Sequence, residues 1–266
     1  MAEIEYVKEI GKFVQVNHIF ATATDKLGLV SNVEKDKDGK VIREIDGLPE
    51  DGLIGVLSRE NPNAVVISTG GTAKLLQKAG YKVVEVGDYT KWPEMSTGLV
   101  KSMHPKLYVG MLAHPFTKSD AQFMIERGIP SIDMVLANFY TLDVAVAKYP
   151  LGTWHEMNGE LVSAFEIIRQ NIDVGGPTAV HTSDKGLLTT AVATRPSDYV
   201  RFANDLRDFN GRISLESRVE AMKNCVEDLF RYHESLYKFT RGINAEVVEA
   251  AYKTIHEDNP VLVGGR

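Results

Sequence analysis

The chain has 266 residues, 44% of them hydrophobic and 25% charged, with a formal net charge of −6. This length predicts one large domain or a domain with an appendage, and the composition excludes a disordered chain. The negative charge excludes broad electrostatic binding to nucleic acid or an anionic membrane, while leaving room for one small anion held by local groups. A single cysteine, Cys225, rules out an intramolecular disulfide, and its helical setting marks it as a small buried apolar residue. The opening MAEIEYVKEIGKF is charged and lacks an apolar core, so no secretory leader is expected. No window approaches about 18 consecutive apolar residues, so no membrane-spanning helix is expected. The expected location is the cytoplasm.

In chain order, HIFATAT (18–24) reads as a short buried strand ending in small polar residues. DKLGLVSNV follows as a turn, with a helix start as the alternative. Residues 35–63 form an excursion. KDKDGKVIREI has an Asp-Gly turn between short runs, the pattern of a β-hairpin, and the remainder, rich in Pro, Gly and Asn, reads as loop. AVVIST (64–69) is a second strand, broken by Gly70 and Gly71, and TAKLLQKAG (72–80) has helical spacing with a terminal glycine. YKVVEVG (81–87) predicts a third strand. Residues 88–107 predict a long aperiodic loop, a setting that often carries function. Helices are expected over 119–128 and 161–171, strands over 131–140 and 188–194, and a further helix from Pro196. Alternating strands and helices, with the strands as continuous apolar runs, predict an α/β fold with a mainly parallel sheet covered on both faces. From about Ser214 apolar residues recur three and four apart, so a long amphipathic helix is expected, with VVEAAYKTI as a last one. The chain is therefore read as an α/β domain over 1–210, with 35–63 inserted, and a helical extension over 211–266 packed on the same domain.

In an open parallel sheet, ligands bind beyond the carboxyl ends of the strands. Ser68-Thr69-Gly70-Gly71-Thr72 falls at such an end. Its glycines admit an anion close to the backbone, and the following helix offers free N–H groups and a positive dipole end; the bland alternative is a packing turn. Thr24 and Lys26 follow the first strand, where Lys26 can meet the same anion or Thr24 can simply cap a helix. Lys101, Ser102 and His104 lie in the irregular VKSMHP stretch. Asn138 and Tyr140 close the strand at 131–140. Asp173 precedes Val174-Gly175-Gly176-Pro177-Thr178, with Lys185 beyond, and its bland alternative is a turn or cap residue. No HxH, HExxH or CxxC pattern occurs, so neither a metal nor another cofactor is expected. A phosphate turn, a carboxylate, lysines, an Asn and a Tyr at strand ends suit acid–base chemistry on a phosphorylated small molecule.

These stretches resemble a known family, the inosine monophosphate cyclohydrolase domain of the bifunctional purine enzyme that also carries a formyltransferase. The resemblance runs from about residue 18 to about 242. It rests on STGGTAKLL (68–76), GDYTKWPEM and VKSMHP within 87–105, NFY (138–140) and NIDVGGPT (171–178). It implies a methylglyoxal-synthase-like three-layer α/β fold. It implies ring closure of a formamidoimidazole carboxamide nucleotide, with Asp173, Lys185, Lys101 and Tyr140 as catalytic residues. The substrate contacts so implied are Thr24, Lys26, Ser68, Thr69, Gly70, Gly71, Thr72, Ser102, Asn138, Val174 and Gly175. Leu99 stands where the family has arginine. His181-Thr182-Ser183-Asp184-Lys185-Gly186 keeps only the lysine of the family's stretch. A separate formyltransferase is then expected in the pathway, and a symmetric homodimer is the default assembly. Two other classes stay open: a regulatory module of the same fold that binds a nucleotide without chemistry, and a methylglyoxal synthase. A third, an interaction protein using the helix at 214–242, ranks below them because that helix's apolar stripe suits packing on the sheet or a dimer seam.

Overall fold

The computed structural model describes residues 6–93, 95, 100–139 and 142–252. Two compact units share the chain: Met1–Phe139 with Val174–Leu229, and Tyr140–Asp173 with Phe230–Arg266. The helical extension expected from 211 onward is thus divided between them.

The first unit opens with β1 (Phe13–Gln15), which pairs antiparallel with β11 (Arg212–Ser214). Its centre is a five-stranded parallel sheet. In chain order the strands are β2 (His18–Ala23), β5 (Val65–Ser68), β6 (Val83–Glu85), β7 (Met134–Asn138) and β10 (Ala191–Ala193). Their spatial order is β10-β7-β2-β5-β6. Side chains alternate between two cores, as strand pleating requires. Ile19, Ala21, Val66, Met134, Leu136 and Ala191 face one; Phe20, Ile67, Val135, Ala137 and Val192 face the other. The first core is covered by α1 (Gly52–Glu60) and α9 (Pro196–Asp208), which pack on each other. The second is covered by α4 (Pro105–Leu112) and α8 (Gly175–Lys185), likewise in contact. The result is the expected three-layer α/β arrangement with a parallel sheet. The unit also holds α2 (Gly70–Lys78), α3 (Val86–Thr90), α5 (Lys118–Arg127) and the start of α10 (Leu215–Arg241). Cys225 on α10 is fully buried, as expected.

The excursion after β2 differs from its sequence reading. Its hairpin forms, from β3 (Val33–Lys35) and β4 (Val41–Glu44). The stretch read as loop contains α1, whose Leu53, Ile54, Val56 and Leu57 are buried. The apolar run LIGVL prevails over the turn-forming Gly, Pro and Asn around it, because burial against α9 outweighs weak propensity.

The second unit holds α6 (Leu142–Lys148), the hairpin β8 (Trp154–Met157) and β9 (Glu160–Ser163), α7 (Ala164–Gln170) and α11 (Ala245–Ala251). The hairpin turns on Asn158-Gly159, both with positive φ, the signature of a type I′ turn. Leu161–Ser163, read from sequence as the start of a helix, belong to β9; the helix begins after Ser163, whose hydroxyl accepts from Glu166 N–H and caps it. Phe165 stacks on Phe239 at 6.2 Å and meets Tyr252 edge-on.

Candidate active site

The sheet order reverses beside β2. The chain runs β2, β5, β6 to one side, then returns to place β7 and β10 on the other. The carboxyl ends of β2, β5 and β7 therefore surround the switch point where open α/β sheets bind ligands.

At the end of β5 the sequence STGG divides its labour. Ser68 is fully buried and its hydroxyl donates to Ala21 C=O at 2.7 Å, stitching two strands. The Thr72 hydroxyl donates to Ala23 C=O and accepts from Ala23 N–H, at 3.0 and 3.1 Å. Both hydroxyls expected at a ligand are thus spent on the scaffold. Thr69 differs. It is the extended N-cap of α2 and makes no side-chain cap bond. It is 6% exposed, and its Oγ1 has no partner among the described residues. A buried hydroxyl without a partner carries a desolvation cost, which a ligand oxygen would relieve.

Gly70 takes φ +55, a conformation that strains any residue with a side chain. Two ammonium groups flank the turn. Lys101 Nζ lies 3.2 Å from where a Cβ on Gly70 would stand, and Lys26 Nζ lies 3.8 Å from the equivalent point on Gly71. With the free N–H groups and positive end of α2, these lysines form a cradle for an anion.

The loop after β2 is shaped by Asn138 at the end of β7. Its Oδ1 accepts from Thr24 N–H at 2.8 Å and from Asp25 N–H at 2.9 Å, while its Nδ2 donates to Asp25 C=O at 2.8 Å. Asn138 and Thr24, expected as substrate contacts, here fix the path that carries Lys26. Lys26 Nζ donates to Thr24 C=O at 3.1 Å. Asp25 pairs with Arg43 of β4. Burial works against the Asp25 carboxylate, but the Arg43 guanidinium, the Leu27 N–H and Lys26 outweigh it and hold its pKa below the usual value.

Lys101 is delivered by a strained turn. Val100 takes φ +63, a conformation costing a β-branched residue about 1–3 kcal/mol. Ser102 reaches the N-terminus of α8, its Oγ 2.9 Å from where a Cβ on Gly175 would stand; any larger residue there would displace it. The pair Lys101-Ser102 thus links the starts of two helices, α2 and α8. His104 takes the bland role: it is the N-cap of α4, its Nδ1 accepting from Lys106 N–H at 3.1 Å. Val174 is the exposed N-cap of α8, and Pro177 sits in the first turn, where its missing N–H costs nothing.

Lys185 is not brought to this cluster. It ends α8 and is exposed; ten residues from Gly175 at 1.5 Å per residue put about 15 Å between them. Tyr140 and Leu99 lie outside the described residues. Asp173 belongs to the second unit, where its carbonyl accepts from the Tyr232 hydroxyl at 2.8 Å. Among the described residues, no group of three His, Cys, Asp or Glu could hold a metal ion, and no helix is long and apolar enough to cross a membrane. Sequence reasoning missed two features of the first unit. Arg43 carries no local signal of a partner 18 residues away. Asp184 on α8 is partly buried, its two carboxyl oxygens inaccessible and without a partner among the described residues, and burial pushes its pKa up to about 7.

With this geometry in view, residues 60–154 match the family model described as an MGS-like domain. The chain carries an MGS-like domain. The matched stretch contains α2 with its glycine turn, Lys101 and Ser102. The chain is 34% identical over 183 residues to the "Bifunctional purine biosynthesis protein PurH" of Neisseria meningitidis serogroup A, covering 69% of this chain and 32% of that protein. It is 39% identical over 146 residues to the protein of the same name from Magnetococcus marinus, covering 55% of this chain and 25% of that protein. The chain is therefore homologous to purine biosynthesis enzymes, and spans about a third or less of the length of these curated relatives. The crystal structure of ForH matches with a TM-score of 0.61 at 23% identity, covering 85% of this chain and 98% of that one. That likeness shows a fold shared with ForH across most of the chain.

Proposed function

We propose that the chain is an inosine monophosphate cyclohydrolase. It closes 5-formamidoimidazole-4-carboxamide ribotide to inosine monophosphate, with one water leaving. The observation that carries this reading is the cradle at α2: two lysines, a left-handed glycine and an unpartnered buried threonine hydroxyl around one helix N-terminus. Homology to purine biosynthesis enzymes supports a nucleotide phosphate as its occupant.

In the reaction, the carboxamide nitrogen attacks the formyl carbon, a C–N bond forms, and the formyl oxygen departs as water. The amide lone pair is delocalised, so a base must take a proton from that nitrogen. Asp173, directly ahead of the α8 N-terminus in sequence, is assigned that role. Lys101 supplies positive charge for the oxyanion; Tyr140 gives it one proton and the protonated Asp173 a second, so that it leaves as water while the formamide N–H proton passes back to the Tyr140 oxygen. Both reacting groups belong to one molecule, so much of the acceleration comes from holding them in near-attack geometry. Phosphate binding at residues 69–72 supplies remote binding energy for this. The formylated substrate is the product of a formyltransferase, and the assembly is a homodimer in the cytoplasm.

The test is ultraviolet-monitored turnover of the formylated ribotide by wild type and Asp173→Asn. Inosine monophosphate from wild type, lost in a folded mutant, is the expected result. A folded mutant at wild-type turnover removes Asp173 as the base. The placement of Lys185 at the far end of α8 favours a second reading, a regulatory module that binds the nucleotide without converting it. Tight nucleotide binding with no turnover by wild type would establish that module instead.

A further inference from the structure

The β3–β4 hairpin has no part in the sheet, yet it ends on the loop that carries Lys26. We propose that Arg43, on this hairpin, is a positioning residue for the phosphate end of the site, acting by holding and neutralising the Asp25 carboxylate. The inference rests on reading the α2 N-terminus as a phosphate site.

Asp25 is an awkward neighbour for an anion. It adjoins Lys26 in sequence, and its backbone N–H and C=O are both held by the Asn138 side chain, which also accepts from the preceding Thr24 N–H. Its carboxylate is within reach of the Lys26 charge and itself carries a negative one. Two partners restrain that charge. Oδ1 accepts from Leu27 N–H at 3.1 Å, closing a local turn. Oδ2 meets the Arg43 guanidinium, whose other arm reaches Glu34 on the paired strand at 3.0 Å. Glu34 thereby orients Arg43 toward the loop. Lys26 is left to donate to Thr24 C=O and to face Gly71, instead of pairing with its own neighbour. Without Arg43 the bare carboxylate would both repel a phosphate and compete for the Lys26 ammonium.

The pair is open to solvent, with side-chain exposures of 47% for Arg43 and 39% for Asp25. An exposed pair contributes little to folding, so its removal separates binding from stability. One unscreened charge within several ångströms of a bound anion weakens it by about three- to ten-fold.

The experiment measures binding of inorganic phosphate and of inosine monophosphate by calorimetry, with steady-state kinetics in parallel. Arg43→Ala is expected to weaken both ligands and raise KM by about three- to ten-fold, with kcat within about two-fold and the melting temperature nearly unchanged. Arg43→Lys should recover part of the loss. Asp25→Asn keeps the oxygen that accepts from Leu27 but removes the charge, so the double variant Asp25→Asn/Arg43→Ala should bind near the wild-type level. That rescue is a readout that a merely structural role would not give. Wild-type affinity in Arg43→Ala, or a loss that the double variant fails to repair, overturns the proposal. If wild type itself binds neither ligand, the phosphate site falls, and this inference with it.

Discussion

Replacing Thr69 by valine should move stability and ligand affinity in opposite directions. The side chain is nearly fully buried, and its hydroxyl has no partner among the described residues. Valine keeps the β-branched shape and suits the extended φ of −142° at this N-cap. Removing an orphaned hydroxyl lifts a desolvation cost of about 1–3 kcal/mol, so the free protein should become more stable or stay unchanged. With a phosphate present, the same hydroxyl donates to a charged oxygen, a bond worth about 1.5–3 kcal/mol. Affinity should therefore fall about 10- to 100-fold. Ligand-linked stabilisation grows as RT ln(1 + [L]/Kd). At a concentration 100 times the wild-type Kd it is about 2.7 kcal/mol, and a 30-fold weaker Kd reduces it to about 0.9 kcal/mol. Thermal melts of both proteins, with and without saturating inosine monophosphate, read both effects. A variant that melts well below wild type without ligand would show that the hydroxyl has a structural partner. An unchanged ligand-induced shift would show that Thr69 does not face the phosphate. Either result refutes the reasoning.

Lys185→Ala should leave phosphate affinity within about two-fold of wild type, since about 15 Å of helix separates it from the Gly175 end; a larger loss in calorimetry would mean that the lysine reaches the ligand. Asp184 should impose a pH dependence on stability. Burial raises its folded pKa from 3.8 to about 7, so the folded state holds a proton that the unfolded chain releases above its ordinary value. That contribution is complete below about pH 4 and is lost as the pH rises through about 7. Denaturation midpoints measured across this window should fall with pH in wild type and fall less steeply in Asp184→Asn; equal slopes would remove Asp184 as a source.

The central strands were legible because each must fill both faces of the sheet. β2, β5, β7 and β10 are short, mainly apolar runs, and the alternation of Ile19, Phe20 and Ala21 between two cores explains why apolar residues follow one another in them, with Thr22 near the carboxyl end of β2 the one polar residue inside these four strands. Elements whose signals conflict were not legible. LIGVL in α1 was outvoted by Pro49, Gly52 and Asn61, although all five of its residues are buried. Gly175-Gly176-Pro177 reads as a turn, yet it opens an 11-residue helix. The Asn158-Gly159 hairpin carried a strong local signal that a helical reading of 161–171 masked. The cradle was readable in kind but not in its division of labour. Ser68, Thr69 and Thr72 are alike in sequence, and only the position of β2 decides which hydroxyls are consumed by Ala21 and Ala23.

Lys101 and Lys185 show where motif spacing stops being informative. Both are lysines near glycine-rich stretches, and the sequence offers no reason to separate them. The backbone does. Lys101 follows the strained Val100 in a turn closed by Met103 N–H to Val100 C=O at 2.9 Å, which turns one residue toward Gly70 and the next toward Gly175. Lys185 follows ten residues of regular helix, each adding about 1.5 Å in a direction the motif cannot alter. Strain at a non-glycine residue persists only where the surroundings enforce it, and it clusters where function requires a fixed geometry. Its presence at Val100, one residue before the only lysine placed between the starts of α2 and α8 among the described residues, makes Lys101 the stronger candidate of the two for charge stabilisation at the reacting atoms.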